Sequence, residues 1–205
     1  MENVKNVCIT ILLPAGRMPL EIMATAHRLA SQHSLGVYLS TMQNLRLVNV
    51  PENVVEELKE ELAKLGAEFK GPNKFPIPRV CIGKDHCNLG LIDTEALSRK
   101  ILDKFADRQK TKAKFKIAVA GCTLCCSGVK TTDIGIMATR DGYEIFAGGK
   151  GGPFPKIGMR IGKIADEQRV LDLIGELVNF HDLKTETKQR MYRLLGDPEF
   201  PFKEV

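Results

Sequence analysis

Ala120-Gly121-Cys122-Thr123-Leu124-Cys125-Cys126-Ser127-Gly128 is the stretch on which the reading of this chain turns. Three cysteines fall within five residues, after an apolar run (Phe115 to Ala120) that predicts a buried strand. A glycine follows that permits a sharp turn. Outward from there, Cys81-Ile82-Gly83-Lys84-Asp85-His86-Cys87 adds two more thiols. The spacings are C-x5-C and, from Cys122 to Cys126, C-x3-C. Four thiolates from two loops suit a cubane iron–sulfur cluster, whose irons each take a soft sulfur donor. Cys122 and Cys125 also form a C-x2-C of the kind used by structural zinc. Zinc is therefore the rival, but no second short pair accompanies it, and the spacing favours iron–sulfur. Inert buried cysteines are disfavoured, because five of the six thiols crowd into two tight loops.

The chain has 205 residues, 43% hydrophobic and 27% charged, enough for one compact unit or two small subdomains. No apolar run approaches the roughly 20 residues needed to span a bilayer, so no membrane partner is expected. Met-Glu-Asn-Val-Lys at the amino terminus lacks the basic-then-apolar order of a secretion signal. A cytoplasmic protein with reduced thiols, and so without disulfides, is the expectation. The net charge of +5 points to an anionic partner. Nucleic acid is disfavoured, since aromatics are only 6% and no recognition motif is present.

Val7, Ile9, Ile11 and Leu13 share one face of a predicted strand. Pro19 suits the first turn of a helix with Ile22, Met23, Ala26, Leu29 and Ala30 on its apolar side, stopped by Gly36. Val37 to Val50 reads as strand with a bend at Asn44, and Val54, Val55, Leu58, Leu62 and Leu65 as a helix ended by Gly66. The first 70 residues thus predict an alternating β-α-β-α unit. The stretch 71–79 carries three prolines and reads as a connector. Beyond it, Asp93 or Thr94 caps a helix burying Leu97, Ile101 and Phe105. Arg140-Asp141-Gly142 is a hairpin signal between Ile134–Thr139 and Tyr143–Ala147. The run 148–153 is a glycine-rich loop, and two helices follow, with Val170, Leu173, Ile174, Leu177 and Val178 in one and Met191, Leu194 and Leu195 in the other.

Lys110, Lys112, Lys114 and Lys116 occupy alternate positions, which on a strand sets four ammonium groups on one face. Such a face either lies open to water or meets an anion. Their place just before Cys122 favours the anion. The loop 148–155 with Lys150 and Lys156 exposes backbone N–H groups beside cations, a cradle for carboxylate or phosphate that matches neither a P-loop nor a dinucleotide fingerprint. Of the four histidines, only His86 adjoins a candidate site, as a neighbour rather than a ligand.

The two cysteine pairs, with Lys114-Phe115-Lys116 before the second, resemble those of the sirohaem and 4Fe-4S sulfite and nitrite reductases. The likeness is to the small single-unit sulfite reductases of anaerobic microbes, and it covers nearly the whole chain. It implies an α+β fold, a ferredoxin-like half-domain over residues 1–70 followed by an α/β cluster and sirohaem domain over 71–205. Leu-Pro-Ala-Gly-Arg (13–17) and Ser-Thr-Met-Gln-Asn (40–44) carry it in the first part, and 148–152 in the second. By resemblance, Cys81, Cys87, Cys122 and Cys126 ligate the cluster, and Cys126 also bridges to the sirohaem iron. Lys114 and Lys116 hold the substrate anion and feed protons. Thr41, Gln43, Asn44, Lys150 and Arg160 contact the macrocycle, whose eight carboxylates account for the gathering of cations.

The implied activity is the transfer of six electrons, one at a time, from a ferredoxin-type donor through cluster and sirohaem to sulfite or nitrite. A non-catalytic redox carrier or tetrapyrrole-binding relative is the alternative, and a zinc-binding structural protein a further one. A single half of a doubled architecture also predicts a homodimer. Three departures stand out: Leu12 and Met42 replace family arginines, and Cys125 is an extra thiol. A third family arginine, before the first cysteine, has two candidates here, Arg79 and Lys74. Lysine lacks the two-pronged grip of guanidinium on an oxyanion, so anion selectivity is expected to be modest.

Overall fold

A computed structural model describes residues 5–112, 114–186 and 189–205. The chain forms two compact units, residues 1–71 and 72–205. In the first, the elements run β1 (Asn6–Leu12), α1 (Leu20–His33), β2 (Gly36–Leu39), β3 (Leu45–Pro51), α2 (Val55–Ala63) and β4 (Glu68–Phe69). The sheet order is β2-β3-β1-β4, antiparallel throughout. This is a ferredoxin-like βαββαβ arrangement. Ile9 and Ile11 of β1 alternate toward Ile22, Ala26 and Leu29 of α1 and Leu58 and Leu62 of α2, all buried in one core.

Three expectations for this unit are corrected. The stretch 37–50 is a hairpin rather than one bent strand, so the unit is β-α-β-β-α-β. Ser40 reverses the chain: its N–H donates to the Asn44 carbonyl at 2.9 Å and its Oγ accepts the Asn44 N–H at 3.1 Å. Gln43 completes the turn at φ +62°, a conformation that a residue with a Cβ adopts only when its surroundings impose it. Met23 is exposed rather than in the core. Finally, α1 stops at Ser34 (φ +53°), while Gly36 opens β2.

The second unit runs β5 (Arg79–Val80), α3 (Thr94–Phe105), β6 (Ile117–Ala120), β7 (Ile134–Thr139), β8 (Gly142–Ala147), β9 (Met159–Ile164) and α4 (Glu167–Lys184). The order is β5-β6-β7-β8-β9, parallel across β5, β6 and β7 and antiparallel beyond. All four residues of β6 are buried, as a central strand of an otherwise covered sheet requires. Asp93 caps α3 by accepting the Ala96 N–H, and Asp166 caps α4 through Gln168 and Arg169. The expected hairpin turns at Arg140-Asp141, and Gly142 opens β8 at φ +123°.

Two features differ from expectation. Met191, Leu194 and Leu195 lie in and beside a single 3-10 turn, Met191–Arg193, rather than a helix. Arg190 before it is extended and Gly196-Asp197-Pro198 after it leaves no length for repeated i→i−4 bonds. The lysine ladder is not on a strand either. Phe115 N–H donates to the Lys112 carbonyl at 2.9 Å, a turn, and the strand begins only at Ile117; Ala113 lies outside the described residues. Aligned like charges repel, and the turn lets Phe115 bury against the His181 ring at 4.6 Å.

Candidate functional site

The carboxyl end of β6 delivers one cysteine loop and the end of β5 delivers the other. Because β5 and β6 are parallel neighbours, both loops leave the sheet at the same edge. Cys81 N–H donates to Val119 O at 3.2 Å, continuing the ladder by one residue. The first loop then folds back on itself: Lys84 N–H donates to Ile92 O at 2.9 Å, and a Cβ on Gly90 would stand 2.5 Å from the Lys84 nitrogen. No other residue fits there. Leu91 N–H donates to Gly121 O at 2.8 Å, and Gly121 N–H donates to Cys81 Sγ at 3.0 Å. These two bonds lock the loops together.

The second loop is two successive turns, Cys125 N–H to Cys122 O and Gly128 N–H to Cys125 O, with Cys125 at φ +59° and Gly128 at φ +68°. Buried Ser127 donates its hydroxyl to Val119 O at 2.7 Å and pins the loop to β6. Cys81, Cys87 and Cys122 are half-buried and Cys126 is exposed, and all six cysteines are unpaired. Cys125 packs instead against a core of Ala118, Ala120, Val129, Met137 and Phe146. The left-handed turn thus sends Cys125 inward and leaves Cys126 at the surface. Among the described residues, no three His, Cys, Asp or Glu side chains are gathered closely enough to hold a single metal ion.

Arg79, the last residue but one before Cys81, sends its guanidinium beside Cys125 and Gly128, and burial pushes its pKa down. Its Nε is buried with no hydrogen-bond partner among the described residues.

A second group of cations surrounds the glycine-rich loop. Lys150 and Lys156 pair through their backbones, and both ammonium groups sit over the Tyr192 ring, 5.1 and 5.3 Å from its centroid. Arg193 Nε donates to the Tyr192 hydroxyl at 3.1 Å. That bond first, and the neighbouring cations after it, hold the phenol below its usual pKa. Arg160 is anchored to Glu144 at 3.0 Å and to the Val205 carbonyl at 2.8 Å. Lys114 and Lys116 are exposed at the amino end of β6. The strand's four residues, about 13 Å at the usual rise, separate them from the cysteine loop.

Asp133 organises this amino end. Fully buried, it accepts Lys116 N–H on Oδ2 at 3.0 Å, and Arg190 Nε at 2.7 Å and Met191 N–H at 3.0 Å on Oδ1. Burial raises its pKa, and the Arg190 guanidinium and the two backbone donors oppose that rise. Sequence reasoning passed over Asp133, Arg190 and Tyr192, for which no local signal exists. In the first unit, Asn44 Oδ1 accepts Leu13 N–H at 3.1 Å, and a Cβ on Gly16 would meet the Gln43 side chain at 3.4 Å. The stretches 13–17 and 40–44 are therefore adjacent, with Thr41 exposed at the turn.

Residues 77–197 match the family described as the nitrite and sulphite reductase 4Fe-4S domain, and residues 1–65 match the nitrite/sulfite reductase ferredoxin-like half domain. This chain belongs to that family. The assimilatory-type sulfite reductase of Nitratidesulfovibrio vulgaris is 24% identical over 169 residues, 82% of this chain and 77% of that protein. The NAD(P)H nitrite reductase of Emericella nidulans is 23% identical over 185 residues, 89% of this chain but 17% of that protein. The chain thus spans less than a fifth of that larger relative. The fold of Mycobacterium tuberculosis NirA protein covers 95% of this chain and 40% of that one, with a TM-score of 0.75 at 16% identity. The family's centre is sirohaem with a 4Fe-4S cluster, the cofactors expected from the sequence. The cysteine loops fit that group: two tied loops carry the thiols, and a backbone N–H already points at one sulfur, as donors do to cluster ligands.

Proposed function

We propose that this chain is a sirohaem-dependent reductase in which Cys81, Cys87, Cys122 and Cys126 hold a 4Fe-4S cluster and electrons pass on to sulfite or nitrite. The observation that carries this is the bonding of the two cysteine loops through Gly121, whose N–H reaches Cys81 Sγ and whose carbonyl accepts from Leu91. Family membership and the inward turn of Cys125 support the same ligand set. When bound, cluster and sirohaem would supply electrons and a metal centre for the anion.

The chain's own residues would do the rest. Lys114 and Lys116 Nζ hold the anion's charge and release protons to its oxygens as they leave as water. Lys150 would pair with a macrocycle carboxylate, and so would Arg160, whose Nη2 has no protein partner among the described residues. By the family resemblance Thr41, Gln43 and Asn44 would contact the macrocycle, and Asn44 shapes their own turn through Leu13. A ferredoxin-type donor, a homodimer and a cytoplasmic location complete the proposal. They are supported by the +5 charge, by Val37, Tyr38 and Leu39 exposed on the edge strand β2, and by the unpaired thiols. The test is an optical spectrum of anaerobically purified protein, followed by viologen-driven turnover of sulfite and nitrite. Sirohaem bands with turnover of both anions are expected; a spectrum without them overturns the assignment, and sirohaem without turnover of either anion restricts it to cofactor binding.

A further inference from the structure

We propose that Asp133, with Arg190, is a positioning residue for anion binding: it sets the backbone of Lys116 against the glycine-rich loop that carries Lys150. This rests on the reading of Lys116 as an anion-holding side chain. Three segments distant in sequence converge on this one residue. Its carboxylate takes Lys116 N–H from the turn entering β6, and Arg190 Nε and Met191 N–H from the stretch after α4. Its backbone carbonyl takes Gly148 N–H at 2.8 Å, and Arg190 Nη2 reaches on to the Gly149 carbonyl at 3.2 Å. The loop beyond is held by close approach, since a Cβ on Gly149 would stand 2.5 Å from the Lys130 carbonyl. Gly158 N–H donates to that same carbonyl at 2.7 Å.

The clamp is built for placement. One carboxylate satisfies three donors with both oxygens, each bond to it strengthened by its charge. Arg190 uses two nitrogens of its planar fork on two different segments, a geometry that lysine cannot reproduce. Tyr192, two residues along, carries the cations Lys150 and Lys156 over its ring. A shift at Arg190 therefore moves the loop's cations, and a shift at Asp133 moves Lys116 as well.

Asp133→Asn keeps the shape but gives an amide that accepts on one side only, so either Lys116 or the Arg190 and Met191 side loses its acceptor. The decisive experiment is a double-mutant cycle with Lys116→Met, read as sulfite affinity by optical titration of the holoprotein. Asp133→Asn alone is expected to weaken sulfite tenfold or more, and less than twofold when Lys116 is already Met. An equal loss in both backgrounds means a generally loosened fold and overturns the proposal. Amide exchange supplies an arm that needs no bound anion. Whichever of the Lys116 and Met191 amides faces the new NH2 group should exchange at least a hundredfold faster in Asp133→Asn, with the β7–β8 ladder unchanged; unaltered protection at both amides overturns the clamp. A wild-type spectrum that does not respond to sulfite would instead refute the substrate reading, and the exchange arm would still decide the clamp. If Asp133→Asn does not fold, Arg190→Lys keeps a cation beside the carboxylate and loses the Gly149 bond. In that variant the Gly149-side loop should loosen, with sulfite binding weakened and Lys116 protection retained; an unchanged loop and unchanged affinity overturn the proposal.

Discussion

The two ends of β6 are built by different physics. At its carboxyl end, the cysteine loops are held by backbone bonds through Gly121 and by glycines at which a Cβ would collide, as at Gly90. At its amino end, the lysine turn hangs on one buried carboxylate, whose arginine also reaches a glycine-rich loop held in addition by close approach at Gly149. The first design tolerates exchange of most side chains but not of its glycines. The second concentrates its stability in one pair of side chains, because a buried charge deprived of its partner is costly. The comparison shows where a substitution should act on cofactor retention and where it should act on stability and the anion.

Breaking the carboxyl end should have the largest effect. Ser in place of Cys81, Cys87, Cys122 or Cys126 should bring cluster iron and labile sulfide close to zero while far-UV dichroism is retained. Cys126→Ser should also disturb the sirohaem bands, and Cys125→Ser should leave iron near the wild-type level. The reverse pattern for Cys125 and Cys126 would reassign the ligands to the C-x2-C pair. Breaking the amino end should cost stability instead. Asp133→Ala leaves partly buried Arg190 and two backbone N–H groups without their acceptor, and the stability from urea unfolding should fall by about 3 kcal/mol.

A gentler probe of the same end is Lys116→Met, which leaves the backbone bond to Asp133 intact. A charged hydrogen bond contributes roughly 1.5–3 kcal/mol, so kcat/KM for sulfite should fall about ten- to a hundredfold with the cofactor spectrum unchanged. Unchanged turnover in both Lys114→Met and Lys116→Met would reduce this end to a solvated turn. The smallest effect concerns His181, buried behind Phe115, with Nε2–H donating to the Gln189 carbonyl at 2.9 Å and Nδ1 unpaired. Burial lowers its folded pKa, so the fold favours the neutral ring. Its contribution is complete above the ordinary imidazole value of about 6.5 and is lost as pH falls from there toward the lowered folded value. Stability should fall over that window by no more than about 1.4 kcal/mol per pH unit, read as a lower Tm. His181→Phe should remove this part of the slope; an identical slope in the variant would assign the pH dependence to other groups.

Local rules explain what was legible in the sequence. Cysteine spacing marked the two loops because ligands to one cluster must come from tight turns, and Asp93 marked the start of α3 because a cap acts within three residues. The βα periodicities placed most of the core, since burial of one face writes itself into residue spacing. At 40–44 a bend was expected but not a full reversal, because the turn contains no glycine or proline; Ser40, Asn44 and a left-handed Gln43 make it. The alternating lysines imitate a strand, but charge repulsion and the burial of Phe115 against α4 override the pattern. Which of two adjacent thiols faces outward was also not written in the spacing. The φ of Cys125, set by the packing beneath it, decides that.

By itself, then, the sequence determined the cysteine-bearing loops, the caps and the apolar faces, all of which rest on forces between residues close along the chain. Tertiary structure alone decided that Asp133 should meet Arg190, 57 residues away, and that Lys150 and Lys156 should share the ring of Tyr192. A buried ion pair leaves no periodic trace, because its partners are selected by the strand order and by the need to neutralise a charge removed from water.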